Sequence, residues 1–281
     1  MAVESNILES PKNLILNVEH EQENSRVKWL ISDITTVTWR NLLAYTRVPG
    51  SIFFQLLQPV MFVLLFRYVF GGAIPVPGGN YVLFLMPGIF VQTVSFGAVN
   101  TSIGLAEDLH KGLIERFRAL PMARSAVLGG RTTADLVRNV FVIVLMTVVG
   151  YIVGFRIGTN VGLFILGCLL LLLFSYALSW GFAFVGLSAP NSETAQVMAF
   201  PLLFPLTFAS SAFVPISTMP GWLQGFAKNQ PVSITVTAVR SLMVGGTHFT
   251  NSTAVLQSLA WSIGLLIVLV PLAVWKYRRT A

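Results

Sequence analysis

The sequence predicts an all-α integral membrane protein with six transmembrane helices. An N-terminal amphipathic interfacial helix precedes them, a charged amphipathic helix fills one cytoplasmic loop, and short re-entrant helices lie on the extracellular side. Three observations lead there. Of 281 residues, 54% are hydrophobic and only 10% are charged, with a mean hydropathy of +0.74. A soluble domain carries roughly a quarter charged residues, so this chain has too few to cover a surface in water. Apolar runs recur at spanning length, and the basic residues gather on one side of them.

About 20 apolar residues cross the hydrocarbon core as a helix. Six stretches qualify: Ile52 to Phe70, Val82 to Leu105, Leu136 to Phe155, Val161 to Leu187, Ala195 to Val214 and Ala254 to Trp275. The fifth holds Pro201 and Pro205 and reads as a kinked or broken span, because neighbouring helices re-satisfy the backbone groups a membrane proline frees. With these spans, 14 of the 18 Lys and Arg residues fall on one side. They precede the first span, lie between spans two and three (Lys111 to Arg138), or follow the last. Arg67, Arg156, Lys228 and Arg240 fall on the other side. All eleven Asp and Glu residues join the basic side. The positive-inside rule then puts both termini in the cytoplasm. The net charge of +7 is a topology signal on this reading, and no nucleic-acid partner is expected.

Residues 1–25 are polar and acidic and read as a flexible cytoplasmic tail with no signal peptide. Residues 26–48 place Val27, Leu30, Ile31, Ile34 and Val37 at helical spacing, with Trp29, Trp39 and Tyr45 as interface-seeking rings. This is either a helix lying on the inner leaflet or a cytosolic helix packed on a partner. The remainder, 49–281, is the six-span domain. Gly150, Gly154, Gly158 and Gly162 recur every fourth residue, and the first pair lies inside a span, where it allows close helix packing. Between Pro215 and Thr253, Pro220-Gly221 and Gln230-Pro231 divide a moderately apolar segment into pieces shorter than a span. Short helices dipping into the outer leaflet, about 215–246, fit that composition.

The spans hold almost no ionisable groups. Arg67 sits near the end of span one, where its head reaches the outer headgroups. No Asp, Glu or His lies inside a span, which argues against an ion-coupled carrier, an intramembrane protease or a transferase. Cys168 is the single cysteine, so no disulfide and no thiolate metal site is expected. His20, His110 and His248 are scattered without ligand spacing, and Ser95, Ser175 and Ser179 have no base nearby in sequence. No catalytic or cofactor-binding residues are therefore assigned. Nothing matches G-x-x-x-x-G-K-[ST], so a pump built on this chain takes its energy from another polypeptide.

"EDLHKGLIERFRALPMAR" (107–124) stands out against this background. Read as one helix over 105–120, it places Leu105, Leu109, Leu113, Phe117 and Leu120 along one side. Glu107, Asp108, Lys111, Glu115 and Arg118 take the other, and Arg116 lies on the apolar edge. Glu107 and Lys111 form a favourable i,i+4 pair, and Pro121 ends the helix. Such a helix either docks into a partner's groove or lies passively at the interface.

The run "GLIERFRALPMARSAVLGGR" (112–131) between spans two and three resembles the signature region of ABC-2 type permeases. Together with "GWLQGFAKNQPVSITVTAVRSLMVGG" (221–246), it is similar to their daunorubicin-resistance (DrrB-like) branch, over about residues 30–279. The resemblance implies a permease subunit paired with a second permease copy or paralogue and two ATP-binding subunits. ATP and Mg are then bound by those partners, and no cofactor by this chain. It makes the segment around Glu107 to Leu120 the coupling helix, with Glu107, Asp108, Leu109, Lys111, Leu113, Glu115, Arg116, Phe117 and Arg118 meeting the ATPase. It makes Met219 to Val244 an outer re-entrant gate containing Trp222, Gln230, Pro231 and Arg240. The implied function is ATP-driven export of a hydrophobic or amphipathic drug, antibiotic or lipid. A non-transporting anchor or assembly subunit and an ATP-independent carrier are the alternatives. Phe182, Phe184, Phe200, Phe204, Phe208 and Phe213 are either aromatic faces along a substrate path or ordinary packing residues, with Phe200, Phe204 and Phe208 the candidates for the path. A path without fixed charge is expected to reject strongly anionic molecules.

Overall fold

Asparagines cap the starts of four helices, Asn251 among them, its Oδ1 accepting from the Ala254 N–H at 3.0 Å. Asn80, Asn160 and Asn191 are extended residues whose side-chain oxygens accept from the backbone N–H of Val82, Leu163 and Thr194, at 3.1, 2.8 and 2.8 Å. Each satisfies one of the donors that a helix leaves open at its first turn. The computed structural model describes residues 29, 32–43, 49–113 and 124–280. Among them the order is α1 (32–43), α2 (Pro49–Leu65), α3 (Tyr81–His110), α4 (Arg124–Val153), α5 (Val161–Gly186) and α6 (Ser192–Phe208). Then follow α7 (Gly221–Asn229), α8 (Pro231–Met243), α9 (Gly246–Phe249) and α10 (Ser252–Thr280). No strand occurs among the described residues.

Among the described residues four helices are long and apolar enough to cross a membrane: α3, α4, α5 and α10. Helix α2 runs on through a π-turn, Phe66–Phe70, and α6 has 17 residues with both prolines inside it. The third apolar helix begins at Arg124, well before Leu136. Arg131, Asp135 and Arg138, expected in a cytoplasmic loop, are therefore helical, and only apolar length had marked the start of that span.

Helix α3 packs on α4, α5, α6 and α8, and α5 packs on α10 and α8. Contact between α3 and α5 is backbone-close. A Cβ at Gly186 would stand 2.4 Å from the Ser102 carbonyl oxygen, and one at Gly88 2.2 Å from that of Ala212. Small residues allow this approach between membrane helices. The four-residue glycine pattern works differently from expectation. A Cβ at Gly150 would meet the Met86 side chain at 2.7 Å, whereas Gly154 has φ +107 and a Cβ there would meet nothing within 4 Å. Gly154 thus serves the turn at the end of α4 and does not bring two helices together.

The core gathers Leu85, Met86, Ile89 and Phe90 of α3 with Met146, Phe155, Leu171, Phe174, Val236 and Met243. Helix α8 is buried along most of its length, while Trp222 of α7 is 81% exposed. Helix α1 turns Val37, Thr38 and Asn41 inward, and the Thr38 hydroxyl donates to the Gly130 carbonyl of α4 at 3.1 Å. Trp29 and Trp39 stay exposed. Ile34 and Val37 thus pack against Gly129 and Gly130 of α4 in the same chain.

Replacing Gly186 by Val is expected to force α3 and α5 apart and cost about 1–3 kcal/mol or more. Gly264→Ala, at a helix position with nothing within 4 Å, is expected to be neutral or stabilising. Thermal unfolding in detergent with a folded-fraction readout checks both.

Candidate functional site

A cavity of about 440 Å³ opens between α1, α2, α3, α4 and α6. Its apolar walls include Phe62, Phe96, Val99, Phe141 and Phe200. Its polar groups are Gln58, Gln92, Thr93, Asn100, Arg138, Asn139 and Gln196.

Arg138 is positioned from two sides. Its Nη1 lies 3.4 Å from Oδ1 of Asp135, one turn earlier on α4, and its Nη2 donates to the Gly97 carbonyl of α3 at 2.8 Å. Asp135 is fully buried and accepts from the Thr101 hydroxyl of α3. Asn139, the next residue on that face, donates to Oγ of Ser175 on α5 at 2.5 Å. One hydrogen-bonded cluster therefore joins α3, α4 and α5. A guanidinium therefore lines this cavity, where the sequence suggested a path without fixed charge. Asp, Arg and Asn at 135, 138 and 139 share one helical face, and starting the span at Leu136 cut Asp135 off from the other two and hid that spacing.

A row of rings leads away from the cavity. Phe96 stands 6.2 Å from Phe200 and 5.6 Å from Phe204. Phe204 to Phe208, Phe208 to Phe213, Phe213 to Phe66 and Phe66 to Phe70 follow at 4.5–5.4 Å. Phe200, Phe204 and Phe208 are thus brought together in one file, joined by Phe213. Phe182 instead packs among Val99, Ala199 and Leu203, and Phe184 lies against the cluster around Leu105 and Tyr277.

The gate residues divide sharply. Gln230 is buried and caps α8 through Val232 N, while its Nε2 donates to the Leu206 carbonyl of α6 at 2.8 Å. Pro231 is the first residue of α8, where its missing N–H costs nothing. Arg240, also buried, donates to the carbonyls of Phe84 and Ser211 at 2.8–3.0 Å, and its guanidinium lies 3.8 Å from the centre of the Phe84 ring. It was expected on the outer side as a topology charge; the structure makes it an internal tie. Trp222 takes no part in that cluster.

The single helix expected over 105–120 is interrupted. Helix α3 ends at His110, and Gly112, at φ +65, turns the chain after it. Glycine occupies that left-handed region without the steric cost a side chain would bring. Leu105 is buried and Leu109 packs with it against the cluster containing Val127, Leu128 and Tyr277, so these two face this chain's own core. Asp108 also points inward, meeting Arg40 of α1 at 3.2 Å and Arg131 of α4 at 3.5 Å. Glu107 and Lys111 remain at the surface, 2.6 Å apart, and that hydrogen bond and charge raise the lysine pKa. Leu113 is half-buried. Glu115, Arg116, Phe117 and Arg118 lie outside the described residues.

The family model described as ABC-2 type transporter matches residues 32–244. The chain belongs to the ABC-2 type transporter family. It is 35% identical over 249 residues to the daunorubicin resistance ABC transporter permease protein DrrB1 of Streptomyces coeruleorubidus, covering 89% of this chain and 87% of that protein. It is 27% identical over 240 residues to the probable doxorubicin resistance ABC transporter permease protein DrrC of Mycobacterium tuberculosis, covering 84% and 83%. To the putative transport permease ycf38 of Cyanophora paradoxa it is 27% identical over 237 residues, covering 82% and 81%. The chain is thus an ABC-2 permease, a multi-pass membrane subunit of a family that works with ATP-binding partners.

Asp135→Leu is expected to remove the carboxylate paired with Arg138, at a cost of about 3–5 kcal/mol. Adding Arg138→Met should recover much of that loss, because removing both members of a buried pair is often close to neutral. Detergent stability of the two single variants and the double variant measures the coupling.

Proposed function

We propose that this permease forms the transmembrane path of an ATP-driven exporter for hydrophobic or amphipathic molecules such as drugs, antibiotics or lipids. Family membership over residues 32–244, together with relatives named for daunorubicin and doxorubicin resistance, carries this reading. The cavity and the phenylalanine file support it, since together they offer a polarisable, largely apolar route.

On this reading six spans cross the bacterial plasma membrane with both termini in the cytoplasm, α2 and α6 supplying the two beyond the four long apolar helices. Two permease chains, identical or paralogous, face each other and bind two ATPase subunits that hold ATP and Mg. The ATPases meet Glu107, Lys111, Leu113, Glu115, Arg116, Phe117 and Arg118. Asp108 and Leu109 work from inside: Asp108 links the end of α3 to α1 and α4, so displacement of the surface segment moves three helices together. Molecules enter at the cavity and pass along Phe200, Phe204 and Phe208. They leave where α7 and α8 form the outer re-entrant gate, with Gln230, Pro231 and Arg240 fixing α8 and Trp222 facing the lipid.

Replacing Leu113 and Phe117 by Asp together is expected to remove about 2 kcal/mol or more of docking energy. That corresponds to roughly thirtyfold weaker ATPase capture. Pull-down from native membranes in mild detergent reads the capture, and ATP-dependent efflux should fall with it while membrane insertion is unchanged. Undiminished capture and efflux in the double variant would remove the coupling role. A chain that purifies alone and transports without ATP would remove the exporter reading.

A further inference from the structure

We propose that the groove between α4 and α5 holds an acyl chain of an anionic phospholipid whose phosphate is gripped by Arg156. The site stands apart from the export path, and its occupant is a resident lipid of the permease. On α4, Arg138 and Val142 line the cavity described above, whereas Val140 and Val144 line this groove. Residues two apart stand about 200° apart around a helix, so the two sites use opposite sides of α4.

The groove has a volume of about 260 Å³. Val140, Val144 and Val148 of α4 line one wall, and Phe164, Cys168 and Leu172 of α5 line the other. Each set recurs every fourth residue, so the walls run along the helices as two facing stripes. The one hydroxyl in the lining, on Thr147, is spent on the Ile143 carbonyl at 2.7 Å. Beyond the weakly polar Cys168 thiol the groove offers no hydrogen bond, which suits a hydrocarbon chain. The three valines are exposed, so the groove opens sideways onto the bilayer. Counted from the helix ends at the 154–160 turn, Val148 and Phe164 lie about 5–8 Å along, and Val140 and Leu172 about 17–20 Å. That reach matches the hydrocarbon depth of one leaflet, about 15 Å.

Arg156 lies in the turn that joins the two walls, at the end of the groove nearest the membrane surface. It is exposed, and no carboxylate pairs with it among the described residues. No Asp or Glu occurs between residues 135 and 193, so neither helix brings one to this end. Arg156 Nη1 donates to the Tyr151 and Phe155 carbonyls, both at 2.8 Å, and the guanidinium stands 5.3 Å from the centre of the Tyr151 ring. The head is thus fixed through one nitrogen, while its Nε–Nη2 edge has no partner among the described residues. That edge is a fork of two donors, which matches two oxygens of a phosphate. A glycerophospholipid carries its phosphate just beyond its acyl chains, so one molecule satisfies both halves of the site. An anionic headgroup suits it better than a zwitterionic one, whose own ammonium competes for the phosphate.

The test is native mass spectrometry of the full chain released from detergent micelles and titrated with three dioleoyl lipids. These are phosphatidylglycerol, phosphatidylcholine and the phosphate-free cation dioleoyl trimethylammonium propane. The first lipid bound should follow that order of affinity, phosphatidylglycerol tightest. Arg156→Gln should weaken phosphatidylglycerol about fivefold, the scale of one ion pair near a surface, and leave the cationic lipid unchanged. Cys168→Phe fills the groove and should weaken phosphatidylglycerol tenfold or more, because several methylenes lose their seat. If that variant does not fold, Val144→Phe narrows the groove from an exposed position and should act in the same direction. Equal affinity for the three lipids, a phosphatidylglycerol preference unchanged by Arg156→Gln, or indifference to the groove substitutions would each overturn the proposal. A dimer lost with Val144→Phe would give the groove to a second copy of the chain and overturn it too. The measurement needs neither ATP nor an ATPase. Selective lipid binding without ATP-driven efflux would therefore leave the site standing and remove the exporter reading, whereas efflux with unselective lipid binding would do the reverse.

Discussion

A charge buried in protein has no water to turn to, and the Asp135–Arg138 pair shows how this chain meets that constraint. Asp135 takes the Thr101 hydroxyl, Arg138 reaches the Gly97 carbonyl, and Asn139 beside them reaches Ser175. Each partner lies on a different helix from the residue it satisfies, so α3, α4 and α5 have one relative placement in which the cluster is complete. Apolar side chains alone would tolerate several, because lipid tails are as apolar as leucine and give no preference between helix and lipid. The glycines at 88 and 186 then let backbones close to a distance that side chains would forbid. Polar satisfaction sets the register, and small residues set the separation.

The same constraint fixes the segment after α6. Prolines 201 and 205 interrupt the hydrogen bonding of α6, and the chain then breaks into turns and short helices with carbonyls left over. Gln230 gathers those of Leu206 and Ala209, and Arg240 those of Phe84 and Ser211. Helix α8 is thereby tied to α3 and to the end of α6, the two helices that carry the phenylalanine file. An element fastened to both cannot move independently of that file. At the other end of α3, Asp108 joins α1 and α4 through Arg40 and Arg131. A single long helix therefore carries a polar tie at each end and the cavity along its middle.

Much of this architecture was legible in the sequence. The apolar runs anticipated the long helices, and Pro220-Gly221 and Gln230-Pro231 marked where α7 and α8 begin. Phe200, Phe204 and Phe208 recur every fourth residue, so a common helical face was readable without coordinates. The start of α4 was not, because a hydropathy scan treats each charge as a sign of water. Arg131, Asp135 and Arg138 lie inside the helix and satisfy one another or their neighbours. Gly112 escaped notice for a different reason: a helical wheel projects side chains and is blind to a backbone turn.

The sequence by itself determined that this protein lives in a bilayer, how its apolar segments are spaced, and which family it resembles. Those follow from local composition and pattern, since the cost of placing each residue in hydrocarbon is paid segment by segment. Only the tertiary structure decided that Gln92, Arg138 and Asn139 share a cavity, that Arg240 is an internal tie, and that Asp108 faces inward. Each of those facts depends on residues from two or more helices meeting. In lipid, which helices meet is settled by close packing and by the pairing of buried polar groups, and neither is written in the periodicity of a single segment.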